Sequence, residues 1–174
     1  MTTEQSAEQQ AAAMPFWKAY LIGVAVLVVI IAWLVFGMFV LKLQNAWVGL
    51  VAITMFGAVY HNNMPDAPKV WIGSLVGILL GYLNWWIPEQ IGPWGSLVYL
   101  LIFILPLLAG VVMQKLPLIC NFPMFMMVTI CNVLPAVVIA KQHLIYLEDL
   151  AYAAVCFWFI PWGILKLKAM KASK

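Results

Sequence analysis

The chain has 174 residues, 66% of them hydrophobic and 9% charged, with a net charge of +3 and a mean hydropathy of +1.03. A soluble domain of this length must clothe its exterior in polar groups, and this composition cannot do so. A water-soluble globule and a disordered chain are both excluded, leaving one all-α membrane domain, a polytopic bundle of about six transmembrane helices.

In chain order, residues 1–14 read as a polar cytoplasmic tail, 15–168 as the transmembrane domain and 169–174 as a short basic tail. The uncharged run Ala19–Leu41 is long enough to cross ~30 Å of hydrocarbon and is the first span. A second span covers Asn45–Tyr60. The loop from His61 to Lys69 follows, its two prolines and two asparagines interrupting any helix. Val70–Ile87 is the third span, ended at Pro88; Trp94–Met113 is the fourth; Leu118–Ala140 is the fifth. Lys141 to Asp149 reads as a polar hairpin before the sixth span, Leu150–Leu165. The runs are continuous rather than alternating, which disfavours a β-barrel.

Every basic side chain is lysine. With the N-terminus inside, seven lysines fall on the cytoplasmic side (Lys18, Lys69, Lys115 and four from Lys166 onward) against Lys42 and Lys141 outside. That bias places both termini in the cytoplasm. Trp47, Trp71, Trp94 and Trp162 near span ends agree with an aromatic belt. The basic C-terminus reads as a lipid-surface anchor rather than a nucleic-acid site.

No charged side chain is expected inside a span, which argues against a proton relay or voltage sensor. Cys120, Cys131 and Cys156 lie in apolar runs and read as buried hydrophobes, and Met124, Met126 and Met127 as apolar filler. His61 and His143 read as loop residues. The residues present no nucleophile–base pair, phosphate loop or metal-ligand spacing, so no catalytic residue, cofactor or metal is expected, and the chain reads as not an enzyme.

Two features stand out. Gly73, Gly77 and Gly81 share one face of the third span, with Gly49 and Gly57 offering a similar strip on the second; such strips admit close helix packing, inside a chain or between copies. The fifth span echoes itself, Cys120-Asn121-Phe122-Pro123 and Cys131-Asn132-Val133-Leu134-Pro135. Eleven residues are about three helical turns, so Asn121 and Asn132 share a face about 16 Å apart. With Thr129, Asn84, Thr54 and Ser74 they are candidates to line a polar path; the plainer role is hydrogen bonding between helices.

The stretch from Trp47-Val48-Gly49 to His61, then Trp71-Ile72-Gly73 through Gly77 to Gly81, resembles small bacterial inner-membrane proteins of domain-of-unknown-function family 1097. The later Pro117, Asn121 and Pro123 look similar, and the glycine-rich second and third spans also resemble the membrane half-domains of fusaric-acid-resistance-type exporters. The resemblance implies an inner-membrane location and a small-solute role, and brings no catalytic residues. The expected function is therefore a channel- or transporter-like protein that moves a small neutral or weakly acidic solute as a homo-oligomer. The alternative is a non-transporting membrane subunit that scaffolds a larger complex through a membrane-protein partner.

Overall fold

The computed structural model describes residues 15–43, 47–113, 115–133 and 145–172, and every regular element among them is helical. The chain forms two compact units, Met1–Lys42 and Leu43–Lys174. The described part of the first is the helix α1 (Phe16–Phe39), an unbroken apolar run beyond Lys18; Val40 N–H closes its end onto the Phe36 carbonyl at 2.9 Å. Lys42, at φ 54°, ends the segment.

The second unit begins with α2 (Trp47–Ala58). His61 and Asn62 take consecutive left-handed conformations, φ 49° and 56°, and reverse the chain into a single 3-10 turn, Met64–Asp66. Then come α3 (Ala67–Ile91), α4 (Gly95–Val112), α5 (Phe122–Val133) and α6, which spans 145–172. The core lies where α3 meets α4 and α5, with Leu80, Ile87, Tyr99, Met124 and Val128 buried together. Helix α2 packs on α6, and α6 also reaches α3.

The glycine face of α3 determines how α5 docks. A Cβ at Gly73 would strike the Asn121 side chain, one at Gly77 the Met124 carbonyl oxygen, and one at Gly81 the Cys131 Cβ. These contacts advance together along both helices, so α3 and α5 run parallel at a separation that only missing side chains permit. The strip expected on α3 is thus taken up inside the chain.

Among the described residues four helices are long and apolar enough to cross a membrane: Tyr20–Phe39, Met64–Ile91, Gly95–Val112 and Ile145–Lys171. Within the expected second and fifth spans the described residues include α2 and α5, 12 residues each, or about 18 Å of helix. The rest of the expected fifth span and residues 141–144 of the expected hairpin lie outside the described residues, as do residues 1–14, 173 and 174.

Three expectations are corrected. Pro88 does not end the third span; α3 continues to Ile91, and only Gly92, at φ 81°, stops it. The final helix is already formed at Ile145, ahead of the expected Leu150, and its lysine-rich continuation is helical to Ala172. As a result Glu148 and Asp149 belong to a helix and not to a hairpin.

Helices α4 and α6 share a device. Each contains one wide turn, Leu100–Ile104 and Val155–Phe159, in which Leu105 N–H bonds the Leu100 carbonyl and Ile160 N–H the Val155 carbonyl. A proline follows the end of each turn by two residues, Pro106 and Pro161. A proline ring clashes with the carbonyl four residues back, and a turn with one extra residue relieves the clash without breaking the helix.

Candidate functional site

Asn121 stands immediately before α5, and its Oδ1 accepts the Met124 N–H at 3.0 Å, a helix N-cap. Its Nδ2 lies 2.7 Å from the Lys69 carbonyl on α3 and 3.0 Å from the carbonyls of Pro117 and Leu118. Because Gly73 has no side chain, the amide can reach Lys69. Both polar atoms of the Asn121 side chain are engaged, Oδ1 capping α5 and Nδ2 tying its start to α3.

Farther along the same seam, Asn84 Nδ2 donates to Asn132 Oδ1 at 2.8 Å, both residues half-buried. The structure thus brings Asn84 and Asn132 together and sets both Asn121 and Asn132 against α3. It does not bring in the threonines: Thr54 and Thr129 are exposed, and each hydroxyl donates to a carbonyl of its own helix, Leu50 and Phe125. Gly57 faces the Asn62 side chain of the following turn. Ser74 is fully buried on α3, its hydroxyl without a partner among the described residues.

The polar turn between α2 and α3 forms a second cluster. Asp66 accepts from Asn63 Nδ2 at 2.6 Å and pairs with Lys69. In the same turn burial pushes the Tyr60 hydroxyl above its ordinary pKa; nearby Lys69 pulls it back and Asp66 adds to the rise.

The charged residue overlooked in the sequence is Asp149. It is fully buried, and its Oδ2 accepts the Gly49 N–H at 2.9 Å from the first turn of α2. Oδ1 has no partner among the described residues, and neither does the buried hydroxyl of Tyr146 on the same helix face. The expectation of a charge-free interior is therefore overturned. A carboxylate is tolerated here because a helix start presents unpaired N–H groups and a partial positive charge, and Asp149 supplies the missing acceptor from another helix. A signal for this was present in the spacing: Tyr146, Asp149, Leu150 and Ala153 recur at helical intervals and all are buried, whereas Glu148 is exposed. Gly49, expected as part of a packing strip, contributes a backbone donor.

The Asp149–Gly49 contact is nine residues from the end of α2, about 14 Å along the axis from the polar turn. Among the described residues no group of His, Cys, Asp and Glu is arranged to hold a metal. Fold and site together define an all-helical protein with membrane-length apolar helices and a buried carboxylate at a helix start. Protein-family models, curated proteins and solved structures offer no match to the chain.

Proposed function

We propose that this is a multi-pass inner-membrane transporter-like protein in which Asp149 and the start of α2 form the working site for a small, weakly acidic solute. The observation that carries the reading is the Asp149–Gly49 hydrogen bond. Taking the His61–Asp66 turn as one membrane surface, the contact lies near the middle of a ~30 Å hydrocarbon core. Ionisable groups at that depth are expensive and mark ion or solute paths, and helix starts at mid-depth bind anionic groups in transporters.

In this reading the carboxylate of Asp149 occupies the position that an anionic solute would take. Protonation makes Asp149 a weaker acceptor and releases the Gly49 N–H to the solute, so proton and solute binding are linked. Lys69, Lys115 and the lysines of α6 lie toward one end of the second unit, with Glu89 near the other, which supports a cytoplasmic C-terminus. Self-association uses a surface other than the α3 glycine strip, which α5 covers.

The test is proteoliposomes carrying a trapped pH-sensitive dye, challenged with a set of small monocarboxylates. Wild-type protein is expected to couple uptake to a pH change, and Asp149→Asn, which keeps an acceptor but not a charge, to remove the coupling. Equal coupling in Asp149→Asn overturns the role of Asp149. Wild-type vesicles no leakier than empty ones overturn transport and leave the non-transporting subunit.

A further inference from the structure

A groove of about 430 Å³ opens between the start of α3 and the middle of α6, lined by Met64, Pro65, Pro68, Trp158, Phe159 and Trp162. No lining residue is charged. The volume falls within the ~300–1,000 Å³ of small-ligand sites. The groove shares no residue with the Asp149–Gly49 contact.

Three observations narrow the occupant. First, the groove lies beside the polar turn, where Asn63, Asp66 and Lys69 mark the water-facing end, and tryptophans settle at that level of a bilayer. An apolar groove opening there meets lipid. Second, Lys166 Nζ sits over the Trp162 ring, 4.9 Å from its centroid, which puts a cation at the rim on the C-terminal side. That cation occupies the ring face a choline or other quaternary ammonium would use, and repels a second cation. Third, Asp66, the nearest carboxylate in the sequence, is already paired with Lys69 and Asn63, so it does not oppose an anion.

We infer that the groove is a binding site for an anionic phospholipid, an acyl chain lying against Pro65, Pro68, Trp158 and Phe159 with the headgroup phosphate at Lys166. Lys166 lies one helical turn beyond Trp162, and its stem lets the ammonium reach headgroup level while the ring remains in the apolar layer. The α6 proline device contributes to the shape, since Phe159 ends the wide turn and Trp162 follows Pro161 directly.

The experiment is native mass spectrometry of the full-length protein released from nanodiscs of equal phosphatidylglycerol and phosphatidylcholine. Wild-type protein is expected to retain phosphatidylglycerol in preference. Lys166→Gln should reduce that preference about fivefold, the scale set by one basic residue at an anionic surface. Lys168→Gln, on the opposite side of the helix, should leave it intact. Trp162→Ala should weaken retention of both lipids at the site. No preference in wild type, an unchanged preference in Lys166→Gln, or equal losses in the two lysine variants would each overturn the proposal. The last would mean that bulk charge, and no groove, attracts the lipid.

Discussion

Asp149 on α6 accepts a hydrogen bond from the Gly49 amide of α2, 2.9 Å apart in space and 100 residues apart in sequence. The contact holds two helices together through the end of one of them, so it is both a tertiary link and a cap. Its two roles are separable by substitution.

Removing the acceptor tests the cap. Asp149→Ala leaves the Gly49 N–H unpaired in an apolar interior and is expected to cost about 1–2 kcal/mol, the range of a lost N-cap. Asp149→Asn retains an oxygen for Gly49 and should stay within about 1 kcal/mol of wild type. Thermal unfolding of the purified protein in one detergent, read by intrinsic tryptophan fluorescence, ranks the three. Asn and Ala variants destabilised to the same extent would show that the charge, rather than the acceptor, is what α2 needs.

The glycine seam is tested by adding one methyl group. At Gly77 a Cβ meets the backbone carbonyl of Met124 and lies 2.6 Å from Met127 Cβ, so Gly77→Ala must push α5 away. Overpacking of this kind costs about 1–3 kcal/mol. Gly23 on α1 has nothing within 4 Å of a built Cβ, and Gly23→Ala is expected to be neutral or slightly stabilising. Melting temperatures that fall equally in both variants would remove close approach as the explanation.

Asn84 and Asn132 bond to each other, so their substitutions should not add. Asn84→Leu and Asn132→Leu are each expected to lower stability by about 0.6 kcal/mol, up to ~1.7, with the double variant little worse than either single one. Measured in the same unfolding assay, simple additivity would show that the two side chains act apart. In transport assays Asn132→Leu is expected to reduce flux without lowering the yield of folded protein; unchanged flux would take the α5 face out of the solute path.

Orientation is open to chemical labelling. Asn63→Cys, in the turn before α3, and Lys168→Cys, late in α6, are expected to react with a membrane-impermeant maleimide from the cytoplasmic side. Glu89→Cys, near the end of α3, is expected to react from the opposite side. Inverted and right-side-out vesicles compared side by side give the answer, and labelling of all three from one face would refute the assigned topology.

Much of the fold was readable in the residues because hydropathy is a local property. Uninterrupted apolar runs located all the helices described here, and the spacing of Gly73, Gly77 and Gly81 marked the face along which another helix approaches. The asparagine echo identified Asn121 and Asn132 as residues that reach across helices. Local reading failed at the edges. The prolines at Pro106 and Pro161 gave no sign of the wide turns that accommodate them, and Pro88 looked like a stop because proline weakens a helix wherever it falls, whereas this helix loses little so near its end.

Asp149 marks the boundary between the two kinds of information. By itself, the sequence determined an all-helical, lipid-compatible chain, since burial of apolar surface and the absence of polar cover depend on composition alone. Only the tertiary structure decided that α3 presents its glycines to α5, and that the start of α2 meets α6. A carboxylate beside Glu148 in a polar stretch looks like a loop residue until a partner 100 positions away supplies the N–H that makes its burial tolerable. That is a property of two helix positions jointly, and no single stretch of chain contains it.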